Sequence, residues 1–303
     1  MTATARLHEP TTTPAPEGIG PGDDGWRLPA RAFLRRIGHR GPVTPTADSL
    51  RALTTATLRA VPYEMLDALE GRPTSLHHPD VFAKLVHRRQ GGTCLETTPL
   101  LGRFLREAGF PVRLVAAQIW RVKGGWAPRW DHLILLVEAD GAEWVVDAGF
   151  FMMTALEPLP TDGAEHTHDG WTHRVATADG HRAVLRRTPG GDWIPVYRFA
   201  ERHLETADCT WVVDYHMAAA DSPLTANLLC SRVIPGGKLI LMRKNFIRAE
   251  NGRENIDFLA TERAAEKAIA EIFHGHDGKL AERALRLWNR TRGKRAGKLP
   301  GIG

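Results

Sequence analysis

The stretch QGGTCLETTPLLGRFLREAG, residues 90–109, decides how this chain reads. Gly91 and Gly92 permit close backbone approach or a positive φ just ahead of Cys94. A helical apolar period then runs through Leu100, Leu101, Phe104, Leu105 and Ala108, and Gly109 supplies a stop. Cys94 therefore falls at or near a helix N-terminus, where the macrodipole and free N–H groups favour a thiolate. A thiolate is the nucleophilic form of cysteine, so this placement suits acyl transfer. A small buried core cysteine is the competing reading of the same residue.

A thiol nucleophile needs a base, and the base needs an acceptor that orients it. His132 opens the apolar run HLILLV, and Asp147 ends WVVD across the Asp140-Gly141 turn. A hairpin centred on that turn sets residues 132 and 147 nearly opposite one another. A carboxylate inside an apolar strand is expensive unless it is paired, so Asp147 calls for a partner. Asp131 points to the other strand face and is the less suitable one.

Around this centre, residues 26–109 read as helical. Phe33, Leu34 and Ile37 share a face closed by Gly38. Asp48 is a candidate cap for Leu50, Leu53, Leu58 and Val61, and Pro62 ends that helix. Val81, Leu85 and Val86 suggest a third helix. Strand signals follow at residues 112–120, 132–138, 144–146, 182–187, 193–199, 228–233 and 238–243, and helical ones at 261–273 and 279–290. Helices, then strands, then helices make an α+β arrangement rather than a doubly wound parallel sheet.

Composition narrows the classes. The chain has 303 residues, 43% of them hydrophobic and 25% charged, enough for a sizeable core in about two compact domains. Five Thr, four Pro and four Gly with few large apolar residues make residues 1–25 a mobile tail. The longest apolar run, Leu133 to Val137, is five residues, far below the roughly 18 of a membrane span. The start MTATARLHEP has no apolar signal region, and Cys94, Cys209 and Cys230 cannot build a disulfide framework, so a cytoplasmic setting is expected. A net charge of +5 spread over this length suits an anionic small ligand and is weak support for nucleic acid. His77-His78, His166, His168, His274 and His276 lack cysteine or carboxylate partners at ligand spacing, and no metal is expected.

With these residues in place, the chain resembles the arylamine N-acetyltransferases from about Arg31 to Arg248, and more loosely to Phe273. The resemblance rests on YEMLDAL after Val61-Pro62, GGTCLE around Cys94, DHLILLV around His132, VVDAGF around Asp147, and DSPLTANLLCSRVIPGGKLIL. It implies a Cys94–His132–Asp147 triad and a ping-pong route through an acyl-cysteine. It also implies an N-terminal helical bundle, a central β-barrel and a C-terminal α/β lid, the first two forming a cysteine-protease-like core. On that plan residues 1–25 are the tail, 26–110 the helical domain with the nucleophile, 111–215 the barrel with His132 and Asp147, and 216–303 the lid and a basic end. The implied partners are an amine acceptor and an acyl thioester donor, carried by coenzyme A or an acyl carrier protein. No permanently bound cofactor, nucleic acid or membrane is implied.

The departures fall around the substrate. The family's arginine before Gly-Gly is Gln90 here, with Arg89 adjacent; that arginine pairs in the family with a glutamate matched by Glu64. Arg89 takes over, Glu64 finds another partner, or the geometry differs. Glu64, Arg89, Gly91, Gly92 and Glu96 are expected to be structural residues near the site. Thr98-Pro99 replaces an asparagine-glycine, with the proline expected in the first helical turn. After Asp147 a Gly-Phe-Gly continuation reads Gly149-Phe150-Phe151, followed by Met152. Phe150, Phe151, Met152 and Trp130 are the expected substrate contacts, and Trp120 and Trp126 could wall an aromatic acceptor. A reshaped pocket resembles the amide synthases of antibiotic biosynthesis within this family. A hydrolase using the same triad and a non-catalytic binding protein on the same fold are the rival readings.

Overall fold

The computed structural model describes residues 25–121, 125–127, 129–150, 152, 154–187, 190–218, 222, 225 and 227–293. Most of the expected tail, Phe151 and the end beyond residue 293 lie outside them.

The first part is helical, as its period requires: Ala30–Ile37, Ala47–Ala60, Leu66–Leu69, His78–Phe82 continuing as a π turn over Ala83–His87, and Cys94–Glu107. Gly38 ends the first helix in the left-handed region, at φ 71°, where a side chain would strain the backbone. The second helix is capped by Thr46, whose hydroxyl accepts from Ser49 N at 3.3 Å; Asp48, the expected cap, sits in the first turn instead.

A nine-stranded antiparallel sheet follows. Its order is Leu159–Pro160, Ala142–Val146, His132–Ala139, Val112–Arg121, Ile194–Phe199, His181–Arg187, Trp171–Ala178, His166–His168, with Gly125–Trp126 paired beside Val112–Arg121. Leu159–Pro160 approaches Trp171–Ala178, which curls the sheet towards closure. A second sheet of five strands runs Tyr63–Glu64, Leu229–Ile234, Gly237–Met242, Asn245–Glu250, Arg253–Phe258. The helices Glu262–Ile272 and Gly278–Thr291 complete this C-terminal part. Its first strand comes from the N-terminal helical region, so the second sheet is stitched directly to the neighbourhood of the nucleophile.

The strand His132–Ala139 explains its own unbroken apolar sequence. Leu133, Leu135 and Val137 join a cluster with Leu50, Leu53, Leu95, Leu101 and Phe104 of the helices. Ile134 and Leu136 face the other way, into a cluster with Leu229, Leu239, Leu241, Ile269 and Trp288. A strand buried on both faces shows no alternation. Gly102 brings the cysteine helix onto this strand: a Cβ there would fall 2.9 Å from Leu135 Cδ2.

Some strands were illegible in sequence. Trp171–Ala178 puts Trp171, His173 and Val175 inward, and the histidine interrupts the apolar period. Arg253–Phe258 is exposed throughout, so it carries no inward face to read, while the C-terminal helices begin where the apolar period does. Among the described residues no helix is long and apolar enough to cross a membrane.

Leu101 is fully buried at the helix–strand contact. Leu101→Ala should lower unfolding free energy by about 2–5 kcal/mol in urea titrations, since the rigid strand beneath it cannot collapse into the cavity.

Candidate active site

Cys94 is the first residue of its helix and is partly exposed. The loop before it is fixed by backbone bonds to the 62–64 segment: Gly92 N donates to Pro62 O and Glu64 N to Gly92 O, both at 3.2 Å. Gly91 has to be glycine, because a Cβ would run into Pro62 O and lie 2.6 Å from Glu64 Cγ. Glu96 closes the helix start, accepting from Thr93 N at 3.0 Å through Oε2.

The other oxygen of Glu96 accepts from Lys84 Nζ at 2.7 Å. Lys84 also lies 2.9 Å from Asp67 Oδ2 and 3.7 Å from Glu64 Oε1. This ammonium, 6% exposed and on the π turn, is the cation that Glu64 faces. Burial acts to lower the Lys84 pKa, but Glu64, Glu96 and Asp67 together hold it above its ordinary value. Burial raises the Glu96 carboxyl, helped by the Glu64 charge and opposed by Lys84. Arg89 does not take over: it is exposed, at φ 51°, and its carbonyl oxygen meets His276 Nδ1 at 3.1 Å. Gln90 donates its N–H to Lys84 O at 3.1 Å. Lys84 was missed because it sits on an apolar helical face, between Val81 and Leu85, where a lysine reads as a snorkelling stem.

His132 and Asp147 meet through His132 Nε2 and Asp147 Oδ2 at 3.1 Å, with both side chains buried. The ladder pairs Leu135 with Val146 and Ala139 with Ala142, a register that carried onward would set His132 against Gly149. Asp147 is therefore diagonal to His132, two positions from the near-opposite placement expected from the turn. The diagonal still works because the aspartate reaches along the strand face. Asp147 Oδ1 accepts from Gly149 N at 3.1 Å, and the Tyr197 hydroxyl is in hydrogen-bonding reach of the same carboxylate. The His132 ring packs against Phe150 and Tyr197, at centroid distances of 5.1 and 5.4 Å, and those two rings meet each other edge-on. Tyr197 went unnoticed in the sequence; an inward-facing tyrosine in the strand IPVYRF is its only signal.

Burial works to lower the His132 pKa, but the Asp147 charge and hydrogen bond, joined by a hydrogen bond with Cys94, lift it to about 10. The imidazole is thus charged at neutral pH and beside the sulfur. Gly149 closes the arrangement from the third side: a Cβ there would fall 2.8 Å from Cys94 Cβ and 2.9 Å from its N. Cys94, His132, Asp147, Gly91, Gly92, Glu64 and Glu96 are all brought together. Arg89 remains on the surface.

The expected substrate contacts separate. Phe150 is buried against His132. Met152 packs between the two sheets, with Trp171, Ile240 and Ile247. Phe151 is outside the described residues. Trp130 sits edge-on to His181 at 5.0 Å, and Arg198 stacks over both Trp126 and Trp130, at 4.7 and 5.4 Å. Trp120 meets Trp126 edge-on at 5.0 Å. Pro99 is the sixth residue of the cysteine helix, one turn later than expected, so the helix forgoes the N–H bond to Leu95 O. Cys209 and Cys230 are buried, and burial raises both thiols, Cys209 to about 12. Among the described residues no group of three or more His, Cys, Asp or Glu is placed to hold a metal.

Lys84→Met should lower stability by about 3–5 kcal/mol at pH 7, because it leaves buried carboxylates without their cation. The deficit, read by urea unfolding, should shrink as the pH falls and those carboxyls take up protons. Asp147→Asn should let the His132 pKa drop, so that Cys94 alkylation by iodoacetamide at pH 7 slows roughly tenfold or more. His132 is raised from 6.5 when unfolded to about 10 when folded, so its contribution to stability is full below 6.5 and fades as the pH rises through 10. Thermal unfolding between those pH values should fall less steeply in Asp147→Asn than in the wild type.

A family profile described as N-acetyltransferase matches residues 46–275. The proansamycin X synthase of Amycolatopsis mediterranei is 28% identical over 254 residues, 81% of this chain and 97% of that protein. The arylamine N-acetyltransferase of Escherichia coli is 31% identical over 223 residues, 73% of this chain and 79% of its own length. The solved structure of the Mycobacterium marinum arylamine N-acetyltransferase in complex with CoA superposes with a TM-score of 0.75 at 26% identity, covering 85% of this chain and 99% of that one. With the helical, barrel-like and C-terminal parts in the same order as the sequence motifs implied, this chain belongs to the arylamine N-acetyltransferase family.

Proposed function

We propose that this protein forms amides by moving an acyl group from a thioester to an amine through a covalent Cys94 acyl-enzyme. The observation that carries the reading is the contact of Cys94 with a His132 ring held charged by Asp147. A charged imidazole beside sulfur is placed to exchange a proton during acyl transfer, with the helix N-terminus at the same point. The sulfur attacks the donor carbonyl, and the departing thiol takes its proton from His132. The incoming amine then attacks the Cys94 thioester, gives its proton to His132 as the sulfur leaves, and departs as the amide. Free N–H groups of the first helical turn can receive the negative charge that develops on the carbonyl oxygen. Thioester exchange is nearly balanced in free energy, whereas the final amide is stable, so the second step draws the sequence forward.

The donor is an acyl-coenzyme A or a carrier-bound acyl chain, and the acceptor is a small amine. The net charge of +5 is in keeping with an anionic donor. A second reading, an amide synthase with a bulky acyl donor, is favoured by the alignment along 97% of proansamycin X synthase.

Intact-mass spectrometry after incubation with acetyl-coenzyme A, and separately with a longer aromatic acyl thioester, tests both. One acyl group should be gained by the wild type and none by Cys94→Ala, and an arylamine should discharge it as amide. Preference for the longer donor would select the amide synthase reading. Absence of any adduct, or discharge at the same rate without amine, would overturn acyl transfer to amines.

A further inference from the structure

Lys238 stands on the strand Gly237–Met242, opposite Val233 and Ala249 on the flanking strands. Its neighbour on the same face, Ile240, packs with Trp171, Ile247 and Met152, so this face of the sheet meets the barrel. The residue is 2% exposed. An ammonium taken out of water needs acceptors, and Lys238 Nζ donates to Phe150 O and, at 3.0 Å, to Met152 O. Burial lowers its pKa to about 8, opposed by the nearby Asp147 charge. A methionine of similar length would fill the same space without that cost, so the ammonium is there for the carbonyls it holds.

Those carbonyls belong to the segment that shapes the reaction centre. Gly149, one residue earlier, touches Cys94. Phe150 lies on the His132 ring, and Met152 anchors in the space between the sheets. The two hydrogen bonds thus pin the segment on both sides of residue 151. We propose that Lys238 is a positioning residue for acyl-donor specificity: from the five-stranded sheet it clamps the Phe150 and Met152 backbone and fixes the shape of the space beside Cys94. In functional terms this rests on the acyl-transfer reading above; the clamp itself is a statement about the pocket.

The test compares wild type with Lys238→Met and Lys238→Gln in two assays. The first reads Cys94 alkylation by iodoacetamide and by a bulky N-aryl maleimide, with Cys94→Ala as the blank. The second reads single-turnover acylation by acetyl-coenzyme A and by an aromatic acyl thioester. In Lys238→Met the bulky-to-small rate ratio should change roughly tenfold in both assays, a displacement effect on a reacting geometry. Lys238→Gln, which still donates to one carbonyl, should shift it about threefold and decides the matter if the methionine variant does not fold. Ratios equal to wild type in a folded variant would overturn the proposal, even with a lowered melting temperature, because that is what a purely structural lysine would give. If the wild type is not acylated by any thioester, the functional reading falls, and the alkylation ratio still decides the clamp.

Discussion

The architecture turns on one buried ammonium. Lys84 gathers Glu96 from the start of the cysteine helix, Asp67 from the short helix Leu66–Leu69, and Glu64 from the first strand of the second sheet. Asp67 and Glu70 in turn receive Arg283 from the last helix, at 2.6 and 2.9 Å. Burial acts to raise the Asp67 carboxyl, and Lys84, Arg72 and Arg283 hold it far below the usual carboxylate range. The 64–70 segment, Lys84, Glu96 and the distant Arg283 therefore share one charge balance. Removing any member strands the others in a low-dielectric site, which is why such clusters fix relative placement even where their net contribution to stability is small.

From that anchor the nucleophile is positioned by backbone and by glycine. Pro62 and Glu64 hold Gly92, and Gly91 lets the two strands of chain touch. Gly149 does the same from the barrel side, so the sulfur-bearing residue is gripped between two places where only hydrogen fits. His132 reaches it from a strand packed on both faces, which leaves the ring little freedom. Phe150 and Tyr197 limit the ring further, and Asp147 engages its Nε2. Precision here comes from close packing of rigid elements rather than from any single strong contact.

Most of this was legible where chemistry and periodicity coincide. Cys94 announced a helix start, and His132 and Asp147 flanked a turn that the structure contains. The two-residue turn at Asp140-Gly141 sets Ala139 against Ala142, and that register leaves Asp147 two positions from His132, on the same face rather than opposite it. Lys84 was invisible for a deeper reason: its partners Glu64, Asp67 and Glu96 are separated from it by up to twenty residues, and nothing local distinguishes a buried lysine from an exposed one. Pro99 misled for the opposite reason, since the helix begins at Cys94 itself and carries the proline into its second turn. Arg253–Phe258, polar and exposed, has no signature except its pairing with Asn245–Glu250.

The second sheet touches the site from two directions. Tyr63–Glu64 is at once its edge strand and the brace of the Gly92 loop, while Gly237–Met242 sends Lys238 to the loop after Asp147. A displacement of this sheet would therefore act on the nucleophile and on the segment beside His132 together. A part attached at only one of these points could swing as a cover without disturbing the triad. Attached at both, and tied again through Arg283 to Asp67, it behaves as a wall of the site. Its barrel-facing side, with Lys238 on the Phe150 and Met152 carbonyls and Ile240 packed with Met152, is built of residues separate from the Lys84 cluster and from the His132–Asp147 pair.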